Sequence, residues 1–336
     1  MIYNYIWDEI EEEINYNNGY AARQIGNIDV CDVYLAIESK TRYRKLIINF
    51  NEISIDIYAL PTWNGLSIEK KELTIGTIPN TYLILGNNSL ETNDIYDSVI
   101  SNIVEKFKCC ENVEDIKVSM IKTLKKWQFY FDKFGGKGLS AKYQRGLYGE
   151  LWMLRSIINI QPQRKNIVIS GWNGFNGSDH DFQYRDKAIE FKTTKSKQHH
   201  KVHISSEYQL DDRNLSELYL GVLIVRESNN VGESLNEIIQ DIRDTLINDF
   251  TALEKFNEGL YKSGYIDVQS KKYVTRYNRK ELKIFKVENK FPRILPISLP
   301  EGIGDIKYTV MLSACKEYEN SFSTLLEELS IVLEQK

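Results

Sequence analysis

The sequence predicts an α+β protein of two or three parts, in which a mixed sheet is flanked by helices. Its 336 residues exceed one typical domain, because domains usually hold about 100–200 residues. Stretches with strand patterns and stretches with helical apolar spacing both recur along the chain. Gly and Pro number only 19 and 6, so long disordered linkers are not expected.

The first part, residues 1–134, is predicted to be an α+β domain. Apolar residues at helical spacing in IWDEIEEEI predict a short first helix. DVYLAIESKTRYRKLIINF, EISIDIYAL and TYLILGNN alternate or run apolar, and we expect them to form a mostly antiparallel sheet. ETNDIYDSVISNIVEKFKCC and VEDIKVSMIKTLKKWQFYFDKF then predict two helices.

The second part, residues 135–255, begins at GGKGLS, the clearest break in the chain. Ser140 is suited to cap a helix over 141–160 that carries Glu150 beside its apolar stripe. NIVISGW predicts a short strand, and ELYLGVLIVRES predicts a strand buried inside a sheet. SLNEIIQDIRDTLINDFTALEKFNEGL predicts one helix or two.

The third part, residues 256–336, is predicted as strands and a helix that pack on the core or extend it. YIDVQSKKYVTRYNRKELKIFKV predicts two or three strands, and DIKYTVMLSAC predicts another. NSFSTLLEELSIVLEQK predicts a final amphipathic helix.

Composition favours a cytoplasmic protein without membrane segments. The four cysteines show neither CxxC pairs nor metal-ligand spacing, which is typical of reduced thiols. The first twenty residues lack the pattern of a signal peptide, and there is no run of about 18 apolar residues.

Charge is unevenly distributed along the chain. The net charge of −4 argues against non-specific binding to nucleic acid. Nevertheless, residues 122–145 carry seven Lys or Arg against one Asp, 185–201 carry six against two acids, and 271–290 carry eight against two. Either these zones form a face that binds a polyanion, or they are ordinary solvated surfaces.

HDFQY and KAIEFKTT predict an antiparallel hairpin that turns at Arg185-Asp186. In that register Phe182 faces Ile189 and Asp181 faces Glu190. Since side chains alternate between faces, Asp181, Gln183, Ala188, Glu190 and Lys192 share one face, whereas Phe182, Ile189 and Phe191 share the core face. Opposed carboxylates with Cβ atoms about 5 Å apart repel each other, unless a divalent cation lies between them.

These residues form a minimal set for metal-dependent hydrolysis of a phosphodiester. Mg²⁺ prefers carboxylate, carbonyl and water oxygens, and the Phe191 carbonyl is a further candidate ligand. Lys192 lies on the acid face, where it can orient or deprotonate a water or stabilise charge developing on phosphorus. Asp179 is a competing acid on the same face, but Asp181 keeps the two acids aligned.

The spacing from Asp181 to the EFK triplet at 190–192, after a helix with Glu150, resembles the PD-(D/E)xK nuclease superfamily. RGLYGELWML, HDF, IEFKTT, ISSEYQL and FPRILPISLPEGIGDIKYTVMLS resemble one subfamily, called only PD-(D/E)xK motif proteins and often encoded beside prokaryotic restriction or phage-defence genes. His180 stands where the motif has Pro, which is frequently absent in the superfamily.

The resemblance implies a restriction-endonuclease-like core of a helix, a three-strand meander, a second helix and a fourth strand. These elements map onto 141–160, 167–170, 179–184, 187–193, a helix near 205–213, and 218–227.

The resemblance also implies an Mg²⁺-dependent DNA endonuclease, with Mn²⁺ as a substitute, that leaves 5′-phosphate and 3′-hydroxyl ends. Asp181, Glu190 and the Phe191 carbonyl would bind the metal with help from Glu150, and Lys192 would position the attacking water. Expected partners are DNA, a second copy of the chain, and defence proteins such as an ATPase or a methyltransferase. The alternative is a non-catalytic DNA-binding or scaffold subunit with the same fold.

Further residues are candidates for contacts with nucleic acid. Trp172 either stacks on a base or packs locally, and KKYVTRYNRK either forms a groove-reading ribbon or a solvated hairpin. The four histidines lie between 180 and 203, where a solvated loop is favoured over a zinc site. The full set of predicted nucleic-acid contacts is Lys142, Arg145, Lys195, Lys197, His199, His200, Gln209 and Arg276.

Overall fold

The computed structural model describes residues 3–14, 19–25, 28–50, 56–75, 79–195 and 200–334. The chain divides into two compact units, Met1–Gly138 and Leu139–Lys336. Strands from both sides of residue 255 share one sheet in the second unit. The predicted limits at 134 and 255 stay predictions.

The N-terminal unit consists of an antiparallel sheet and helices. Its five described strands have the order β1–β2–β3–β5–β4. The elements are α1 (Asn4–Glu13), β1 (Tyr20–Gln24), β2 (Asp32–Glu38), β3 (Arg44–Asn49), β4 (Leu66–Thr74), β5 (Pro79–Asn87), α2 (Asn93–Phe107) and α3 (Val113–Phe134). The predicted first helix, the β2–β3 pair, β5 and both later helices are confirmed.

The prediction for this unit was wrong in two places. The strands β1 and β4 were not predicted. β4 is an edge strand with the charged sequence LSIEKKELT, which lacks a sustained apolar alternation. EISIDIYAL was predicted as a strand, but Ile57–Ala59 form a 3₁₀ turn, where Asp56 accepts a hydrogen bond from the Tyr58 N–H at 3.0 Å. Residues 51–55 lie outside the described residues.

The C-terminal unit is built on a mixed sheet. The strand order is β10–β11–β9–β7–β6, β13 also pairs with β11, and the β7–β9 pair is parallel. Its elements are α4 (Ala141–Ile160), α5 (Lys165–Ser170), β6 (Phe182–Tyr184), β7 (Lys187–Lys195), β8 (Lys201–Ile204), β9 (Glu217–Ser228), β10 (Glu233–Ser234), α6 (Leu235–Leu246), α7 (Phe250–Lys262), β11 (Arg276–Lys286), β12 (Tyr308–Met311), β13 (Glu319–Asn320) and α8 (Phe322–Glu334). The predicted mixed sheet flanked by helices is confirmed.

The predicted hairpin register is confirmed. Phe182 pairs with Ile189, and Gln183 pairs with Ala188. Arg185 turns the chain with a φ of 57°. Both faces of β7 are nevertheless buried, since Ala188 belongs to a core cluster with residues of β8, β9 and β12, while the Phe191 ring stacks on Trp152 of α4. The carboxylate face is therefore buried at Ala188 and Glu190, whereas Gln183 on the same face is exposed.

Two predicted elements of the core have a different structure. NIVISGW was predicted as a strand but forms α5, which buries Val168 and Ile169. A short β-branched run is compatible with either a buried strand or a buried helix. Here the segment packs against α7, and this packing favours the helix. The predicted helix near 205–213 is a series of turns. Its side chains bond the local backbone instead, as where Asp211 Oδ1 accepts from the Arg213 N–H at 3.2 Å.

The segment at 265–287 was predicted as two or three strands, but it contains a 3₁₀ helix over Asp267–Lys272 and the single strand β11. β11 pairs with β9 along one side, and Tyr273 and Tyr277 are buried. KKYVTRYNRK is consequently not a free ribbon. Within the described residues, no helix is long and apolar enough to cross a membrane.

Candidate active site

Glu150 is brought to the sheet by the close approach of α4 to β7. Ser140 caps α4, as predicted, and its Oγ accepts from the Tyr143 N–H at 3.4 Å. Gly149 makes the approach possible, because a Cβ there would lie 1.7 Å from Thr193 Oγ1. Glu150 follows directly, and Asp181 and Lys192 are near enough to alter the pKa of its carboxyl.

Asp181 lies one residue before β6 and is held through its backbone and side chain. Its carbonyl accepts from the N–H groups of Asn173, at 2.8 Å, and Gly174, at 3.2 Å. Its Oδ2 accepts from the Phe191 N–H at 2.8 Å. The carboxylate therefore reaches across the hairpin to the Glu190–Phe191 position of β7.

Glu190 and Lys192 project from β7 beside Asp181. Glu190 is 0% exposed and forms an ion pair with Lys192, whose side chain is 20% exposed. Lys192 Nζ donates to Gln209 Oε1 at 3.3 Å. The same oxygen accepts from the Ser205 N–H at 2.7 Å, so Gln209 links the lysine to the turn after β8.

Burial dominates the electrostatics of these groups. It raises the pKa of Glu190 to about 8, with repulsion from Asp181 adding to the shift and Lys192 opposing it. Burial and the charge of Asp181 also raise the pKa of Glu150 to about 8. Burial raises the pKa of Asp181, against the effect of Lys192.

Lys192 behaves differently, and its ammonium form is favoured. Burial lowers the pKa of Lys192, but the negative charges of Glu190 and Asp181 outweigh that effect, and the net shift is upward. The lysine therefore carries its proton at neutral pH, which suits a hydrogen-bond donor better than a base.

The donor atoms suit a hard divalent cation. Apart from the ion pair with Lys192, neither oxygen of Glu190 has a hydrogen-bond partner among the described residues. A buried carboxylate in that state is unstable without added positive charge. The carboxylates of Asp181 and Glu190 and the carbonyl of Phe191 are oxygen ligands of the kind that Mg²⁺ prefers. In the described part of the chain, no three His, Cys, Asp or Glu side chains group closely enough to hold a metal ion by themselves.

Trp172 packs locally, which was one of its two predicted alternatives, but sequence reasoning missed its contact with Glu150. Its indole is 1% exposed and packs against Phe175 and Phe256, so it does not stack on a base. Its Nε1–H donates to Glu150 Oε2 at 3.0 Å. The sequence signal was a single Trp in a loop rich in Gly and Asn, which does not reveal its partner.

Several predicted contacts with nucleic acid are engaged within the protein. Arg145 and Lys195 both form ion pairs with Glu227, at 2.7 and 2.6 Å. Arg276 pairs with Glu237 at 2.7 Å. Lys142 and His200 are exposed, Gln209 is partly buried at Lys192, and Lys197 and His199 lie outside the described residues. Their roles stay predictions.

Comparison with known proteins identifies the family. Residues 3–313 match the model of a family described as "Putative PD-(D/E)XK family member, (DUF4420)". No curated protein and no solved structure matches the chain. The matched range spans nearly the whole chain and includes Glu150, Asp181, Glu190 and Lys192. The chain belongs to the DUF4420 family of PD-(D/E)XK proteins.

Proposed function

We propose that this protein is an Mg²⁺-dependent DNA endonuclease of a restriction or phage-defence system, with Mn²⁺ as a substitute. Family membership indicates a nuclease-like function. The observation that carries the proposal is the buried group of Asp181, Glu190 and Lys192 at one position of the β6–β7 hairpin. A fully buried Glu190 beside the half-buried Asp181 and Lys192 is costly, and a catalytic site accounts for the three groups.

Asp181, Glu190 and the Phe191 carbonyl would hold the cation, with Glu150 beside them. When bound, the ion polarises the phosphate and makes a water a better nucleophile at neutral pH. The Phe191 N–H keeps the carboxylate of Asp181 turned toward β7. Trp172, in the loop before β6, fixes Glu150 through its indole N–H.

Lys192 would act as a charged donor to the phosphate or the attacking water. Gln209 and Glu190 hold its Nζ, and its raised pKa keeps it protonated. In the reaction, the water oxygen bonds to phosphorus and releases a proton to solvent while the bond from phosphorus to the 3′-oxygen breaks. The 3′-oxygen takes up a proton from solvent, and the ends are a 5′-phosphate and a 3′-hydroxyl.

The test is cleavage of plasmid and phage DNA with Mg²⁺ or Mn²⁺ by wild type and Lys192→Ala. Lys316→Ala, which changes an exposed lysine in the same unit, is the matched control. We expect wild type and the control to cut, and Lys192→Ala to lose at least about 100-fold in rate. Equal cutting by Lys192→Ala would contradict the assignment.

The rival function is a non-catalytic subunit that binds DNA or a partner such as an ATPase or a methyltransferase. This rival function is favoured if neither wild type nor any variant cuts DNA and if the Mg²⁺ affinity of wild type equals that of Asp181→Ala. A titration with Mg²⁺ alone separates the two functions, because only the nuclease needs Asp181 for the cation. Sedimentation with duplex DNA would show whether two copies bind together.

A further inference from the structure

A cavity of about 270 Å³ lies within the N-terminal unit. It forms at the open end of the β4–β5 hairpin, where Leu66 pairs with Asn87. The loop before β4 and the segment after β5 therefore leave the sheet side by side. The Asn88 N–H donates to the Gly65 carbonyl at 2.9 Å and ties the two segments together.

Aromatic residues line part of the cavity. Trp63 and Phe131 stack with ring centroids 4.9 Å apart and an angle of 7° between their planes. Tyr96 lies beside them in the lining, and its hydroxyl donates to the Leu85 carbonyl at 2.5 Å. Stacking holds both rings rigidly but covers their facing sides, and Trp63 is only 8% exposed, so a planar ligand would meet the outer part of this pair.

The other side of the cavity is rich in amides. The Asn87 side chain is committed internally, because it donates to the Asn93 side chain at 2.8 Å and accepts from the Thr92 hydroxyl at 2.9 Å. The side chains of Asn64 and Asn88 are exposed in the lining and have no hydrogen-bond partner among the described residues. An Asn amide presents a donor and an acceptor side by side, as the edge of a base requires.

Positive charge follows the cavity residues along the chain. Lys133 comes two residues after Phe131, and Lys137 comes directly after Gly136, which also lines the cavity. Both lysines are exposed, but so are the acids Asp132, Glu91 and Asp94, and Glu91 directly precedes Thr92 of the lining. Lys133 Nζ lies over the rings of Phe129 and Phe134, and Lys137 is placed to suit a ligand that carries a phosphate.

We propose that this cavity binds one nucleobase of a DNA strand. The ring would lie against the outer part of the Trp63–Phe131 pair, and Asn64 and Asn88 would bond its edge. The volume is below the roughly 300–1,000 Å³ of drug-sized sites, which suits a single base. The inference rests on the proposed DNA substrate, and it assigns base recognition to the N-terminal unit.

The test measures binding without cleavage. The full chain in EDTA is titrated calorimetrically with each of the four deoxynucleoside 5′-monophosphates, and with deoxyribose 5-phosphate as the probe without a base. The variants are Asn88→Ala, at an exposed position, and Phe131→Leu. Asn102→Ala removes an exposed amide from α2, outside the cavity lining, and is the matched control.

We expect at least one nucleotide to bind about tenfold more tightly than deoxyribose 5-phosphate. Asn88→Ala and Phe131→Leu should weaken that nucleotide about five- to tenfold, and Asn102→Ala should not. Equal binding of deoxyribose 5-phosphate, no saturation with any nucleotide, or unchanged affinity in Asn88→Ala would overturn the base site.

Plasmid cleavage by the same preparations keeps the two proposals separate. Cleavage by wild type without nucleotide binding in the cavity would remove the base site and leave the nuclease. Nucleotide binding that depends on Asn88, in a protein that never cuts DNA, would support the base site and count against the nuclease.

Discussion

Trp172 donates its indole N–H to Glu150 Oε2 across 3.0 Å. This bond joins the loop before β6 to α4. The same loop holds Asp181, since the N–H groups of Asn173 and Gly174 donate to the Asp181 carbonyl. Gly174 allows the contact, because a Cβ there would lie 2.5 Å from Asp181 Oδ1. One loop thereby positions two carboxylates that belong to different elements.

Trp172→Phe removes this hydrogen bond but keeps an aromatic ring in the packed loop. We expect Mg²⁺ affinity and the rate of DNA cleavage to fall about tenfold, because loss of a bond that orients a ligand group has effects of this size. The melting temperature should change little. Calorimetric titration with Mg²⁺ measures the first effect.

Phe256→Leu is the control, because Phe256 packs against Trp172 with ring centroids 6.0 Å apart. That variant should lower the melting temperature and leave Mg²⁺ affinity unchanged. Equal Mg²⁺ affinity in Trp172→Phe and wild type would show that the indole only packs.

Glu190→Gln tests the buried carboxylate through the pH dependence of stability. The pKa of Glu190 rises from its ordinary 4.5 to about 8 on folding, so the folded protein holds a proton that the unfolded chain releases. The stability that this proton contributes is complete below about pH 4.5 and is lost as pH rises to about 8.

Without divalent cations, Glu190→Gln should therefore be more stable than wild type at pH 8, by on the order of 1–3 kcal/mol. The difference should shrink toward pH 5. Urea unfolding in EDTA at several pH values measures it. An identical pH dependence in both proteins would show that Glu190 keeps an ordinary pKa.

Gly149→Ala tests the approach of α4 to β7. The added Cβ would lie 1.7 Å from Thr193 Oγ1, so the variant should lose about 1–3 kcal/mol of unfolding free energy. Gly146→Ala, in the same helix, meets nothing within 4 Å and should gain up to about 1 kcal/mol. Thermal and urea unfolding compare the two.

Adding Thr193→Ala to Gly149→Ala removes the clashing oxygen and should restore part of the lost stability. If the two glycine variants unfold alike, α4 does not lie as close to β7 as described.

Glu227→Gln tests whether ion pairs restrain the basic residues. Glu227 pairs with Arg145 and Lys195. Neutralising Glu227 frees both basic side chains for phosphate contacts, so DNA affinity should rise several-fold at low salt. The affinity should also fall more steeply with salt, by about one more released counterion. Glu258→Gln removes the same charge from an ion pair on α7 and is the control. Fluorescence anisotropy with duplex DNA in EDTA measures the DNA affinity of both variants. Equal affinities of Glu227→Gln and Glu258→Gln would show that only net charge matters.

The sequence by itself determined the hairpin and the helix before it. The register from Phe182 to Ile189 follows from the two-residue turn and strand alternation, and the start of α4 follows from the Ser140 cap. These signals are local, since turn chemistry and side-chain period act within a few residues. They were sufficient to bring Asp181, Glu190 and Lys192 together.

Only the tertiary structure decided which neighbours these residues meet. Val168 and Ile169 form a helix because α7 packs against them, and Trp172 bonds Glu150 across 22 positions of sequence. Arg145 and Lys195 looked like DNA contacts, but both pair with Glu227, which is distant in sequence. Burial of both faces of β7 sets the pKa values in the site, and burial depends on segments that no local pattern connects.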